Sequence, residues 1–392
     1  MSLFLNPRVI ALAALTSVAP FAIDTYLPAF HILSDDLSAS PEAIQQSLTF
    51  YLLPYTLMLL FHGPISDGIG RIKAMQWGLL LFFFASIGCV FSTTIESLWF
   101  FRALQGIGGG AGSVVARAMV RDLYEGAEAQ RVMATVQILF GIAPAIAPMI
   151  GGLLLGFHWQ GIFVFLALYG AVAMFMGSKI LPETMKKNML VPISFKSIVE
   201  RYKMLSKNKE YILLILSVSA NFSAFFIYVL ASPVFLIDHL GFTTQQFGYL
   251  FIPTVTGMLV GSFIAKKTAG FVKPSLVLRF GYYFMFFIAL SNLLFCSFMP
   301  NNPIFNIGFI ALYNIGMASV MPIIALAGLD CFPKIRGTAA SGQAFTQMLF
   351  ASIVAGFLVP ILWFSTFGLS IGLFFLISFG SFTITRTKLW KS

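Results

Sequence analysis

Apolar runs of roughly 20 residues, the length needed to cross the hydrocarbon core of a bilayer, recur about twelve times along this chain. They cover approximately 9–30, 43–62, 75–92, 97–118, 132–156 and 160–181, then 211–236, 245–265, 275–298, 304–328, 339–361 and 365–384. Lipid offers no partner to a backbone N–H or C=O group, so a spanning segment must satisfy its own bonds as a helix or pair them in a closed barrel. Barrel strands alternate polar and apolar residues, whereas these runs are continuously apolar. The pattern predicts an all-α integral membrane protein with twelve transmembrane helices. Composition agrees, since only 10% of the 392 residues are charged, against about a quarter in soluble domains. The net charge of +10 would suggest nucleic acid only if the bases formed one face or groove. They sit instead between the apolar runs.

Threading the spans puts 31–41, 93–96, 157–159, 238–243, 300–303 and the segment near Ser365 on one side, and none of these contains Lys or Arg. The opposite segments hold Arg71 and Lys73, Arg121 and Arg131, 186–209, 266–273, Lys334 and Arg336, and the basic stretch 386–391. By the positive-inside rule these are cytoplasmic, and an even number of spans then places both ends of the chain there. The first apolar run is too long for a signal-peptide core and has no small-residue cleavage site before Asp24, so it is read as the first span. Cys89, Cys296 and Cys331 have neither metal-ligand nor disulfide spacing.

Six spans, a polar connector over 182–210 and six more spans divide the chain into an N-terminal bundle, 1–181, and a C-terminal bundle, 211–392. The connector interleaves bases with apolar residues. It fits a helix lying on an anionic leaflet and fits a solvated basic tether equally.

Four segments carry chemistry. Between the second and third spans stands Gly63-Pro-Ile-Ser-Asp67-Gly-Ile-Gly70-Arg71-Ile-Lys73. Glycines allow a tight turn. Asp67 can meet a helix N-terminus or a cation on the neighbouring bundle, and a pair made in one conformation but not the other latches a state. In the fourth span, Arg102-Ala-Leu-Gln105-Gly106-Ile-Gly108 puts a guanidinium well inside an apolar helix, at about 2.5–3.5 kcal/mol on insertion scales. It should face a cavity and be paired or solvated; an Arg bonding backbone carbonyls for structure alone is the alternative. The fifth span reads Ala143-Pro144-Ala-Ile-Ala147-Pro148-Met-Ile-Gly151-Gly152, a face on which prolines kink the helix and small residues admit close neighbours. The first span ends Ile23-Asp24-Thr25-Tyr26-Leu27-Pro28, and Asp24 is the only acid in the apolar part of any span.

These segments resemble the signatures of the major facilitator superfamily. The first is similar to its loop signature, the second to the Arg-x-x-Gln-Gly-x-Gly signature of proton-coupled members, and the third to the antiporter signature Gly-Pro-x-x-Gly-Gly, with Ala147 at its first Gly. The Asp24 segment, Leu181-Pro182-Glu183-Thr184 and Arg336-Gly337-Thr338-Ala339-Ala340-Ser341 resemble the Bcr/CflA group of bacterial multidrug exporters. The likeness covers essentially the whole chain. It implies two pseudo-symmetric six-helix bundles rocking about a site near the midplane. The function implied is drug:proton antiport across the bacterial inner membrane, exporting small amphipathic or cationic compounds. The proton is the coupling ion and no cofactor or metal is expected. The implied partners are drug-like molecules, protons and the bilayer, not nucleic acid, with the protein a monomer.

Burial disfavours an ionised carboxyl, so an acid placed like Asp24 can exchange a proton for a cationic substrate. Arg102 lies at comparable depth and is expected to hold or tune that carboxylate. Gating is expected of Gly63, Asp67, Gly70, Arg71, Pro144, Pro148, Gly151 and Gly152. Candidates to line an aromatic cavity are Tyr26, Tyr51, Tyr55 and Gln105 in the first half and Asn221, Phe225, Tyr228 and Asn314 in the second. Two departures matter: Ala265 stands where a second-half counterpart of Asp67 would be, and Thr16 where some related exporters have a second acid. One proton per cycle follows. A narrower exporter of sugars, amino acids or other metabolites shares all three loop motifs. An enzyme is disfavoured, because no nucleophile–base arrangement or His/Cys/acid cluster stands out.

Overall fold

The structure, a computed structural model, describes residues 6–124, 126–185, 195–268, 271–299, 301–332 and 336–391. The connector stretch 186–194 and Lys334 lie outside the described residues, as do the side chains of Arg121, Arg131 and Arg336. The chain forms two compact units, Met1–Ser194 and Phe195–Ser392.

In the N-terminal unit the first span is α1 (Pro7–Asp24), a 3-10 turn (Leu27–Ala29) and α2 (Phe30–Asp36). Five helices follow: α3 (Pro41–Ile69), α4 (Arg71–Val90), α5 (Ile95–Leu123), α6 (Gly126–Leu154) and α7 (Gln160–Ile180). The C-terminal unit opens with the short α8 (Phe195–Ser206). It continues with α9 (Lys209–Leu230), α10 (Gly248–Thr268), α11 (Pro274–Phe298) and α12 (Pro303–Asp330). The eleventh span is α13 (Arg336–Ile353), a π-turn (Val354–Leu358) and α14 (Val359–Leu362). Then come α15 (Thr366–Ile384) and the one-turn α16 (Lys388–Lys391).

Local chemistry starts these helices where the apolar runs begin. Asn6, Ser40 and Asn302 accept from the first-turn N–H groups of α1, α3 and α12, and each is followed by Pro at the first helical position, where its missing N–H costs nothing. Thr94 and Ser97 form a reciprocal capping box at the start of α5.

Ten helical segments are long and apolar enough to cross a membrane. α5, which carries Arg102 and Arg117, and α6, whose apolar part is Leu139–Leu154, complete the twelve expected spans among the described residues. Both units use the same pairings. α5 packs on α1, α3 and α4, as α12 packs on α9, α10 and α11; α1 packs on α6 and α7, as α9 packs on α13 and α15. The outer helices turn aromatic faces outward: Phe84 and Phe175 in one unit, Phe287 and Phe375 in the other, are 61–64% exposed, as lipid contact requires. Inside, α8 docks on its own unit through Leu205, against Tyr211, Ile215 and Ala339, and Tyr211 donates to the Ala339 carbonyl at 2.6 Å. Lys196 and Lys203 remain on its exposed face.

Candidate functional site

The first span breaks at its acid. Pro28 cannot donate the N–H that would bond the carbonyl of residue 24, and its ring would collide with that carbonyl. α1 accordingly ends at Asp24 and the chain restarts as a 3-10 turn at Leu27. The break sets Asp24, 4% exposed, among irregular backbone. α6 reaches it through the antiporter-like segment. A Cβ on Gly151 would lie 2.1 Å from the Thr25 carbonyl oxygen and 3.3 Å from Pro28 Cγ, so only glycine admits this approach. Pro144 and Pro148 lie within the same helix, and Gly152 is buried beside Gly151. Gly151→Ala is expected to destabilise the protein by about 1–3 kcal/mol through overpacking. Gly141→Ala, where a Cβ meets nothing within 4 Å, should leave stability unchanged or slightly raised. Thermal unfolding of the two purified variants checks the contrast.

Arg102 is completely buried. Its Nη1 donates to the Ala22 carbonyl at 3.1 Å and to Gln105 Oε1 at 2.8 Å. The guanidinium lies between two aromatic rings, 4.7 Å from the centroid of Tyr26 and 4.5 Å from that of Tyr51, an arrangement that stabilises a desolvated cation. Each neighbour is held in turn: Gln105 Nε2 donates to Ser86 Oγ at 2.7 Å, the Tyr26 hydroxyl pairs with Ser47 Oγ at 2.8 Å, and Tyr51 stacks on Tyr55. Three polar atoms stay without a partner, Arg102 Nε, Arg102 Nη2 and the Tyr51 hydroxyl. Arg102 was expected to hold or tune the Asp24 carboxylate. In this arrangement the two form no ion pair with each other, whereas Arg71 pairs with Asp67 and Asp122. Arg102 reaches the first helix at the Ala22 carbonyl instead, two residues before the acid.

At the end of the unit that carries basic loops, a second cluster forms around Arg71. α3 runs through Gly63 and Pro64 to Ile69, so Gly63 makes no turn, contrary to the expectation of a glycine loop. The turn is Gly70 alone, at φ 100°, a backbone region that strains any other residue. Arg71 donates to Asp67, to Ser66 Oγ at 2.6 Å and to Asp122 Oδ2 at 3.1 Å. The Asp67 side chain keeps 46% of its surface exposed.

Sequence reasoning noted Glu183 only as part of a family likeness and missed what it does. Its two oxygens accept from the backbone N–H groups of Arg71 and Ile72, each at 3.0 Å, capping α4 with a carboxylate from 112 residues away. An acid among basic loops was the available signal. Thr184 adds a bond to Asp122 at 2.6 Å. Glu183→Gln, which keeps one acceptor of the two, should lower stability by about 1 kcal/mol, and Glu183→Ala by about 2 kcal/mol. Denaturation of the purified variants, followed by circular dichroism, tests the order.

The second-half candidates are held inside their own unit. Asn221 donates to the Tyr282 hydroxyl at 2.7 Å, Tyr228 accepts from Asn292 at 2.9 Å, Asn314 donates to the Thr254 carbonyl at 3.4 Å, and Phe225 is 8% exposed. Asn221 Oδ1 and Asn314 Oδ1 have no partner. Among the described residues no group of His, Cys, Asp and Glu could hold a metal.

Comparison with known proteins agrees with this architecture. The family model described as Major Facilitator Superfamily matches residues 12–356. The chain is 32% identical over 342 residues to the bicyclomycin resistance protein homolog of Haemophilus influenzae, covering 85% of this chain and 84% of that one. It is 30% identical to multidrug resistance protein D of Escherichia coli, covering 65% and 64%. Among solved structures, a D-xylose–proton symporter superposes with a TM-score of 0.73 over 95% of this chain and 96% of that one, at 15% identity, a likeness of fold alone.

Proposed function

The chain belongs to the Major Facilitator Superfamily, whose members are membrane transporters and not enzymes, and from that premise we propose that it is a proton-coupled multidrug exporter. Small amphipathic or cationic compounds leave by alternating access as protons enter. The observation that carries this reading is the arrangement at the break of the first span: a buried acid with no ion-pair partner, and a buried arginine, bonded to Ala22 two residues before it, with Nε and Nη2 unbonded. An unpaired ionised carboxylate is costly in an apolar interior. In this arrangement Asp24 therefore holds the proton. When it ionises it needs a partner, which a cationic substrate or the unbonded Arg102 Nε and Nη2 would supply. A carboxyl that serves proton and substrate in turn exchanges one for the other without a separate wire.

The Arg71 cluster serves the conformational cycle. Arg71 is committed to Asp67 and Asp122, while the exposed side of Asp67 is available to a further donor in one state of the cycle. With the basic loops cytoplasmic, both ends of the chain lie inside, and the bacterial relatives support the inner membrane as its place. The relatives named for drug resistance support drug-like substrates. The test is purified protein in proteoliposomes with an imposed pH gradient, assayed against a monocationic dye, an uncharged aromatic antibiotic and single sugars and amino acids. Gradient-dependent, saturable movement of the chemically unrelated drugs is the expected result. Movement of one metabolite alone would replace the reading with that of a narrow exporter, and flux that never saturates would make the protein a channel.

A further inference from the structure

One face of α11 is turned outward and is apolar along its length. Leu276, Phe280, Tyr283 and Phe287 recur at spacings that keep them on one side of the helix, and all four are exposed. A stripe of this kind is a surface for acyl chains. At the end of the unit that carries basic loops it runs into fixed positive charge. Lys273, exposed, directly precedes α11, Arg279 stands between Leu276 and Phe280, and α16 brings Lys388 and Lys391 with Arg386 just ahead of it, all three exposed.

These bases do not hang on a loose tail. Thr387 accepts from the Trp390 N–H at 3.3 Å, and Glu210, at the start of α9, accepts from the Lys388 N–H at 2.8 Å. Arg279 donates to the Trp390 carbonyl from Nη2 at 2.7 Å and from Nε at 3.3 Å, a pair of bonds in which Nη1 takes no part. The Trp390 ring meets Tyr282 and Tyr283 edge-to-face with centroids 6.0 Å apart, and Trp and Tyr favour the headgroup level of a bilayer. The Arg386 guanidinium lies 3.9 Å from the centroid of the exposed Phe382 ring, so this base stays beside the apolar surface. Neither α11 nor the stretch 366–391 contains Asp or Glu, and Glu210 is spent on the backbone of α16. A soluble anion would use the bases and not the stripe, and an apolar partner the stripe and not the bases. An anionic head on apolar tails uses both.

We propose that the end of α11, together with Arg386 and α16, is a binding site for an anionic phospholipid of the leaflet that the basic loops face. Its chains run along Leu276, Phe280 and Tyr283, and its phosphate lies among Arg279, Arg386, Lys388 and Lys391. Arg279 serves twice, fastening α16 and offering Nη1 to the headgroup. The proposal requires that the chain sits in a membrane and is independent of what it transports or how transport is coupled.

Two measurements on the purified full chain, stripped of lipid in detergent, test this. In native mass spectrometry, wild type titrated with phosphatidylglycerol is expected to retain one lipid with a Kd at least about tenfold below that for phosphatidylcholine of the same chains. Arg386→Gln/Lys388→Gln/Lys391→Gln, three exposed changes that keep the backbone bonds of α16, should bring the two lipids within about twofold of each other. Lys196→Gln/Lys203→Gln/Lys207→Gln removes the same number of exposed charges from α8 and its end and should bind phosphatidylglycerol as wild type does. Hydrogen exchange then gives the place: phosphatidylglycerol, compared with phosphatidylcholine, should slow the backbone amides of 388–391 in wild type by about fivefold and leave those of α8 unchanged. Equal weakening by the two triple variants would reduce the preference to net charge, and displacement of the lipid by an equal concentration of inorganic phosphate would make this a site for free anions. Either result overturns the proposal, as does equal affinity of wild type for the two lipids or unchanged exchange over 388–391.

Discussion

Arg102→Ala is expected to cut proton-driven efflux by about 100-fold or more while the protein still inserts and purifies as wild type does, because the two effects of the change on folding oppose each other. Losing the guanidinium strips donors from the Ala22 carbonyl and Gln105 Oε1, each worth about 1–3 kcal/mol when left unsatisfied in the interior. Against that, the wild-type fold buries a cation with Nε and Nη2 unbonded, and removing such a group relieves a desolvation cost of similar size. Packing between Tyr26 and Tyr51 also loosens, so stability falls modestly. Function has no such compensation, since the spare N–H donors on Nε and Nη2 go with the guanidinium. Arg102→Lys should recover about a tenth of the activity, because an ammonium can replace the charge but not the planar fork or its stacking. Initial rates of pH-driven efflux, normalised to protein in the membrane, measure both. Wild-type rates in Arg102→Ala would leave the arginine a structural anchor of Ala22 and Gln105.

The helices were legible in the sequence because length, apolarity and caps are local. Pro after Asn or Ser marks the starts of α1, α3 and α12, and the ends of the runs follow within a few residues. The break in the first span was only half legible: Pro28 removes the donor to the Asp24 carbonyl, but Pro64 and Pro144 sit inside continuous helices, and the apolar run over 9–30 conceals the interruption. What sequence spacing withholds is which faces meet. Gly63 and Gly70 look alike in a Gly-Asp-Gly-Arg string, but only Gly70 has Glu183 against it and a positive φ. Arg102 and Asp24 share a depth, and depth says nothing of the direction in which each side chain leaves its helix. Gln105, marked as a substrate contact, is spent on Arg102. Asn221, Tyr228 and Asn314 were expected to line an aromatic cavity, and each spends a polar group on a neighbouring helix of its own unit. Polar residues in lipid must find partners whether or not they serve a ligand. Only the partner list, with its orphaned oxygens on Asn221 and Asn314, separates the two uses.

Asp24→Asn is expected to abolish pH-driven export of monocations while leaving the fold intact. The amide matches the carboxyl in shape and is neutral, as the carboxyl is when protonated, so burial is no more costly than in the arrangement described here. It can neither carry a proton nor attract a cation. In wild-type protein the proposed competition of two ligands for one acid is expected to show as proton release on cation binding and as cation affinity that falls with pH, because the protonated form has no charge to offer. Linkage makes the two statements one, since the factor by which protons weaken the cation is the factor by which the cation weakens the proton. The driving force suffices: each unit of pH difference is worth about 1.4 kcal/mol per proton, and where a net charge crosses the membrane about 100 mV adds roughly 2.3 kcal/mol. On the proposed reading, with Asp24 the only acid in the apolar part of any span, one proton per cycle is expected. Exchange of a monocation for one proton is then electroneutral and runs on the pH difference alone, whereas export of an uncharged drug also draws on the membrane potential. Collapsing the potential with valinomycin and potassium should therefore slow uncharged-drug export and spare cation export. Proton release on adding a monocationic dye to detergent-solubilised protein, followed with a pH indicator, gives the direct comparison: close to one proton per bound dye from wild type and none from Asp24→Asn. Equal release from both would locate the coupling group elsewhere and leave Asp24 a buried acid at a helix break with no part in exchange.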